Sequence, residues 1–232
     1  MSRARTWGRG RSARARCVGL ALTAGALLVG CGWRARVPVP VPAPDPLDAP
    51  APDSFRVRFV TSRGLFDAVA HRAWAPKGVD RFYYLVRHGF YDDARFFRVI
   101  PNFVAQFGIS PKPAANAEWA GRPIADDPVR HTNARGTIAF ARDGPASRTV
   151  QLFVNLRNNP RLDTLSAFGF PPIAEVTSGM AVVDSLYGGY GEGPPRGHGP
   201  SQDSIAIEGN AYLDRHFPRL DYIVRVTIDQ EW

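Results

Sequence analysis

The chain has 232 residues, of which 44% are hydrophobic, and this is enough for one globular domain with a core. Its formal charge of +8 suggests an acidic partner such as a nucleic acid. However, residues 1–30 carry six arginines and no acidic residue or lysine, so removing them lowers the charge from +8 to +2. The remaining chain is therefore nearly neutral, and a nucleic-acid partner is not expected.

The N-terminus has the pattern of a secretory signal. A basic region ends at Arg16, and the apolar run "CVGLALTAGALLVG" that follows is too short to cross a bilayer as a mature helix. The letters "LLVGC" resemble a bacterial lipobox, which implies that residues 1–30 are removed and that Cys31 is acylated. The alternative is an ordinary signal peptide cut nearby, with Cys31 left as a free thiol. On the first interpretation no thiol remains in the folded domain, which excludes a disulfide framework.

Residues 31–53 are expected to be a linker. Proline occupies every second position from Pro38 to Pro46, and its fixed φ and missing donor favour an extended polyproline spacer. A ligand for a proline-binding module is the alternative. The folded domain is then expected over residues 54–232.

The domain alternates mostly with period two, which predicts strands. The apolar positions of the predicted strands are Phe55, Val57 and Phe59; Phe66, Ala68 and Ala70; Ile138 and Phe140; Leu152 and Val154; and Tyr222, Val224, Val226 and Ile228 on one face of the last strand.

Three segments have helical spacing instead. The first begins at Pro76, places Val79, Phe82, Tyr83 and Val86 on one face, and stops at Gly89. The second has Ser178 or Thr177 as N-cap and turns Met180, Val183 and Tyr187 inward. The third is "NAYLDRHF", which ends before Pro218. Many strands with few helices between them predict a mainly β fold, a closed antiparallel barrel capped by helices.

Two motifs that could indicate other chemistry lack the required context. "GGYGEG" at residues 188–193 is glycine-rich but has no preceding strand and no following helix, so it does not predict a dinucleotide site. The five histidines show no metal-ligand spacing, so neither a metal nor a cofactor is expected.

The stretch "FFRVIPNFVAQFG" (residues 96–108) is apolar except for Arg98, Asn102 and Gln106. It resembles the core motif of cyclophilin-type peptidyl-prolyl isomerases. Two further blocks of that family follow in order, "GTIAFARDGPASRTVQLFVN" and "NPRLDTLSAFGFPPIAEVTSGMAVVD", so the resemblance runs from Phe55 to about Ile207.

The resemblance implies an eight-stranded barrel with a proline pocket on its outer surface. Carried over by position, it implies a catalytic set of Arg98, Phe103, Gln106 and Phe153. The substrate-binding positions that it implies are Val104, Ala141, Arg142, Gln151, Leu162 and Phe170. The chain departs from the family at Arg142 (often asparagine), Arg161 (often tryptophan), Phe170 (histidine in animal members) and Ile173–Ala174 (usually Phe-Gly), and these departures bear on substrate preference.

An arginine among apolar residues suits prolyl isomerisation physically. Twisting the X–Pro bond returns the lone pair to nitrogen, where a permanently charged donor can stabilise it. The alternative is a structural ion pair at Arg98. Two functions therefore stay open: an isomerase that folds exported envelope proteins, or a non-catalytic module that binds proline-containing segments. The expected partners are proline-containing polypeptides and a membrane reached through lipid on Cys31. We expect a monomer in the cell envelope, on the outer membrane where one exists.

Overall fold

The structure is a computed structural model that describes residues 50–232. The predicted signal segment, Cys31 and the linker up to residue 49 lie outside the described residues. Among residues 50–232, no helix combines the length and apolar character needed to span a membrane.

The described chain is mainly β and contains eight strands, five α-helices and two 3₁₀ turns. In chain order they are β1 (Ser54–Thr61), β2 (Gly64–His71), α1 (Pro76–Arg87), β3 (Arg98–Ile100), β4 (Val104–Phe107), α2 (Pro113–Ala120), β5 (Thr137–Phe140), β6 (Leu152–Asn155), the 3₁₀ turns Pro160–Asp163 and Leu165–Ala167, β7 (Pro172–Ser178), α3 (Met180–Asp184), α4 (Gln202–Glu208), α5 (Asn210–His216) and β8 (Ile223–Glu231).

The strands form one antiparallel sheet in the order β3-β4-β6-β5-β7-β2-β1-β8, curled into a half-barrel. The prediction of a closed barrel is wrong, because the edge strands β3 and β8 do not form a ladder with each other. Only an isolated bridge between Arg95 and Tyr222 lies between these edges. Strand β3 is only three residues long, and turns occupy residues 88–93 before it, so this edge is too short to form a ladder with β8.

The period-two pattern positions the core as predicted for β1 and β2. Phe55, Val57 and Phe59 are fully buried, and the ring of Phe59 stacks on that of Phe66 with centroids 4.4 Å apart. Helix α1 begins at Pro76 as predicted and packs its apolar face on this core.

The predicted inward face of β8 is partly wrong. Ile223 and Val226 are buried, whereas Val224 is 50% exposed. The register against β1 passes from Arg225 opposite Val60 to Ile223 opposite Thr61, so Val224 is an extra residue in the ladder. A bulge of this kind reverses which side chains face the core.

The N-cap of α3 also differs from the prediction. Ser178 is the last residue of β7 and pairs with Asp67, so Gly179 takes the N-cap position with φ at 77°. A Cβ at Gly179 would lie 2.4 Å from the carbonyl oxygen of Leu65, which explains the glycine. Helix α5 forms where "NAYLDRHF" predicts it, while α2 and α4 were not predicted.

Candidate functional site

Arg98 opens β3 and lies directly opposite Gln106 of β4. Side chains at opposed positions of an antiparallel pair lie on the same face of the sheet. The Arg98 side chain is 16% exposed, and its Nη1 donates to Oε1 of Gln106 at 3.1 Å. Gln106 in turn donates from Nε2 to Oε1 of Gln151 at 2.8 Å. The three polar side chains therefore form one chain of hydrogen bonds along the sheet surface.

The guanidinium of Arg98 has a second partner that comes from a distant loop. Its Nε and Nη2 donate to the two carboxylate oxygens of Glu192, both at 2.7 Å. The hydrogen bonds from Arg98 lower the pKa of the Glu192 carboxyl, while partial burial acts in the opposite direction. Glu192 therefore faces Arg98 as a carboxylate at neutral pH.

An apolar pocket lies beside this polar chain. Val104, Ala139, Phe153 and Leu162 form a buried cluster of their own, separate from the main core. Phe103, Ala141, Leu165 and Phe170 pack against it. The rings of Phe153 and Phe170 meet edge to face with centroids 5.7 Å apart, and the Arg98 guanidinium lies 5.7 Å from the Phe103 ring. The sheet surface thus carries an apolar pocket with a charged donor at its side.

The strand register explains this arrangement. Phe153 lies between Gln106 on β4 and Ala139 on β5, so one strand face carries both polar and apolar site residues. Leu152 and Val154 point to the opposite face and are fully buried in the main core. The alternation of β6 therefore builds the core with one face and the site with the other.

A polar network around the buried Asn133 holds the pocket wall in place. The Asp163 carboxylate accepts hydrogen bonds from Thr132 Oγ1 and from the backbone and side-chain nitrogens of Asn133. Asn133 also donates to the carbonyl oxygen of Phe170 at 2.9 Å. Burial raises the pKa of the Asp163 carboxyl, but the hydrogen bonds from Thr132 and Asn133 outweigh it and lower the pKa overall. Asn133 therefore holds both Phe170, through its carbonyl oxygen, and Asp163, the neighbour of Leu162.

The network continues from Asn133 toward β4. Asn155 donates to Oδ1 of Asn133 at 3.1 Å and accepts from Asn159 at 2.7 Å. Asn159 also donates to the carbonyl oxygen of Phe103. The position of Phe103 is thus linked to that of Leu162 and Phe170.

Arg142 lines the same groove as Arg98 and lies against aromatic rings. Its side chain is 3% exposed, and its guanidinium lies 5.1 Å from the centroid of the Phe170 ring and 5.3 Å from that of Phe168. Burial lowers the pKa of Arg142, although the nearby Asp126 acts in the opposite direction. Arg142 thus packs beside the rings of Phe168 and Phe170 rather than extending into solvent.

All ten residues predicted from the sequence for the catalytic and substrate-binding sets line one groove of about 820 Å³. The roles assigned to them stay predictions. Sequence reasoning missed the contribution of residues 192–196 and 200–203, which also line the groove. The one available signal was an acidic residue inside the glycine-rich "GGYGEG". Among the described residues no cluster of three or more His, Cys, Asp or Glu side chains could hold a metal ion.

Comparison with known proteins agrees with this geometry. Residues 56–208 match the sequence profile of the family described as cyclophilin type peptidyl-prolyl cis-trans isomerase/CLD. A peptidyl-prolyl cis-trans isomerase of Streptomyces antibioticus is 36% identical over 151 residues, which cover 61% of this chain and 88% of the relative. Peptidyl-prolyl cis-trans isomerase B of Escherichia coli K12 is 37% identical over 120 residues, covering 49% of this chain and 73% of the relative.

Solved structures support the same fold. A cyclophilin-type peptidyl-prolyl cis-trans isomerase of Cryptosporidium parvum superposes with a TM-score of 0.56 at 18% identity, covering 77% of this chain and 99% of that chain. A second structure of that protein, obtained in the presence of the dipeptide Ala-Pro, gives a TM-score of 0.55 at 17% identity, covering 76% of this chain and 99% of that chain.

Proposed function

The chain belongs to the cyclophilin-type peptidyl-prolyl cis-trans isomerase family, and we propose that it accelerates X–Pro isomerisation while exported envelope proteins fold. Uncatalysed X–Pro isomerisation takes tens of seconds or longer, slow enough to limit folding. The observation that carries the proposal is the fixed guanidinium of Arg98 beside an apolar pocket, within a groove of about 820 Å³.

The reaction needs no proton transfer. The barrier of about 18–20 kcal/mol exists because the amide lone pair is delocalised into the carbonyl. As the bond twists, the lone pair returns to the prolyl nitrogen, and an N–H of Arg98 can donate to it there. This contact strengthens only in the twisted state, which is the condition for lowering the barrier. A hydrogen bond from a charged group contributes about 1.5–3 kcal/mol, so Arg98 accounts for part of the acceleration.

The apolar pocket supplies the other requirement, a fixed proline. Phe103, Val104, Phe153, Leu162 and Phe170 would hold the pyrrolidine ring while the residue before proline rotates. Ala141, Arg142 and Gln151 lie along the groove where the residues flanking the proline would run. Because the ring is held by apolar contact, the site would accept many peptides that contain proline.

The direct test is isomerisation of a short Ala-Pro peptide by the full chain, measured by NMR exchange between the cis and trans forms. We expect catalysed exchange, and we expect the same exchange in Arg135→Ala, which removes an arginine that pairs with Asp184 outside the groove. Binding without any catalysed exchange, in a folded protein, would leave a proline-binding module as the better account.

The envelope location depends on Cys31, and we propose that lipid on this cysteine anchors a monomer to the membrane, with residues 31–53 as spacer. Support comes from the sequence pattern "LLVGC" after a basic and then apolar segment. In cells, Cys31→Ala should move the protein from the membrane fraction to the soluble fraction and abolish labelling by a fatty acid. A Cys17→Ala variant is the matched control and should stay in the membrane fraction. Unchanged fractionation of Cys31→Ala would refute the anchor.

A further inference from the structure

Glu192 occupies a position that the sequence resemblance did not assign. It lies in the segment 188–203, hereafter the groove segment, of which residues 192–196 and 200–203 line the groove. Its two carboxylate oxygens accept from Nε and Nη2 of Arg98, both at 2.7 Å. This two-bond geometry matches the rigid fork of a guanidinium and fixes its plane as well as its position.

The groove segment itself is held firmly, so this ion pair differs from an ordinary surface pair. The carbonyl oxygen of Glu192 accepts from the amide of Gly199 at 2.8 Å. A Cβ at Gly193 would lie 2.4 Å from the carbonyl oxygen of Pro200, so the turn is too tight for a side chain there. Tyr190, two residues before Glu192, packs edge to face on Phe217 with centroids 5.0 Å apart. The carboxylate is thus presented from a fixed backbone.

The ion pair with Glu192 leaves some N–H donors of Arg98 available. A guanidinium has five N–H groups: one on Nε and two on each terminal nitrogen. Glu192 takes the Nε–H and one on Nη2, and Gln106 takes one on Nη1. One N–H therefore remains on each of Nη1 and Nη2. Glu192 and Gln106, from different parts of the chain, thus hold the plane of the guanidinium, and two of its N–H groups stay available for a peptide.

We propose that Glu192 is a positioning residue for the isomerase reaction, which fixes Arg98 so that its remaining N–H groups meet the prolyl nitrogen and carbonyl as the bond twists. The inference rests on the isomerase function proposed above. A donor that is already oriented loses no freedom when the twisted state forms, so Glu192 acts on the rate of the bound peptide more than on its binding. A carboxylate that instead blocked Arg98 would slow the reaction.

The test compares full-length wild type with Glu192→Gln and Glu192→Ala, measuring kcat and KM on an Ala-Pro peptide. We expect kcat to fall about tenfold in Glu192→Ala, less in Glu192→Gln, with KM changed less than about twofold. The Arg98 Nε–H resonance should be slow to exchange with water in wild type and fast in both variants. Glu208→Gln removes the same charge from an exposed pair with Arg215, and it should match wild type in kcat, KM and Nε–H exchange.

The outcomes separate this inference from the function on which it rests. An inactive wild type with a folded domain would refute the isomerase function and the role of Glu192 with it. An active wild type with unchanged kcat and unchanged Nε–H exchange in Glu192→Ala would refute the positioning role alone. A higher kcat in Glu192→Ala would also refute it, because the carboxylate would then oppose the reaction.

Discussion

Replacing Asp163 should weaken the wall of the proline pocket by a calculable amount. Its carboxylate accepts two hydrogen bonds from Asn133, each at 2.8 Å, and one from Thr132 at 2.6 Å. Asn133 is fully buried, so the two nitrogens that donate to Asp163 cannot turn to solvent when the carboxylate is removed. Thr132 is exposed and can bond to water instead.

The magnitude follows from these partners. An unsatisfied buried donor costs about 1–3 kcal/mol, and Asp163→Ala leaves two of them, although water can enter from the half-exposed side of the aspartate. We therefore expect the free energy of unfolding to fall by about 2–4 kcal/mol. Asp163→Asn keeps an oxygen that can accept both Asn133 donors and loses only the charge, so it should cost about 1 kcal/mol.

The losses of unfolding free energy in Asp163→Ala and Asp163→Asn are measured by urea unfolding, monitored by the fluorescence of the buried Trp119. Asp184→Ala, which breaks an exposed pair with Arg135, is the matched control and should cost less than about 1 kcal/mol. A loss below 1 kcal/mol in Asp163→Ala would refute the reasoning.

The same network predicts a pH dependence. Because the pKa of Asp163 is lower in the folded protein than its ordinary value of 3.8, the charged form stabilises the fold. This contribution is fully present above pH 3.8 and is lost as the pH falls through the lower folded pKa. The difference in unfolding free energy between wild type and Asp163→Asn should therefore shrink in acid. A difference that grows below pH 3.8 would contradict the assignment.

Three further substitutions test other parts of the account. Phe170→Ala removes the ring that meets Phe153, so KM for an Ala-Pro peptide should rise about 5- to 10-fold in the NMR exchange assay. An unchanged KM would refute this pocket as the binding site of the proline ring. Gly108→Ala should lower the free energy of unfolding, measured in urea, by at least about 2 kcal/mol, because φ is +103° and the new Cβ would lie 2.7 Å from the carbonyl oxygen of Val150. Gly121→Ala is the control: its Cβ would enter open space, so the loss should be small. Arg148→Ala should cost about 3–5 kcal/mol by the same measurement, because it leaves the buried Asp127 without its ion pair at 3.0 Å; a cost near zero would refute the pairing.

Much of the fold was predictable because alternation and helix punctuation act locally. The period-two runs at Phe55–Phe59 and Phe66–Ala70 became β1 and β2, and Pro76 and Gly89 bracket α1 as predicted. The errors come from non-local geometry. Nothing in the sequence near Val224 indicates that β8 gains a residue relative to β1. Pairing between β3 and β8 would join two segments that are far apart in the chain, and β3 is only three residues long.

The predicted site residues converge on one groove because four of them, Arg98, Val104, Gln106 and Phe153, belong to the adjacent strands β3, β4 and β6, whose register is fixed. Three more, Phe103, Ala141 and Gln151, lie one residue beyond a strand end. The resemblance to a known family supplied their number and order, and alternation explains why Phe153 and Gln106 share a face. Glu192 could not be found in this way. It is 94 residues from Arg98 along the chain, and only the folded groove segment brings the two side chains to 2.7 Å.

The central claim is that Arg98 accelerates rotation about X–Pro bonds, and the most direct measurement compares wild type with Arg98→Ala in NMR exchange of an Ala-Pro peptide. The loss of one hydrogen bond from a charged group predicts a roughly 10- to 100-fold lower kcat/KM, with the fold unchanged by circular dichroism. Equal rates in wild type and Arg98→Ala would contradict the account, because the arginine would then serve only as a structural ion pair.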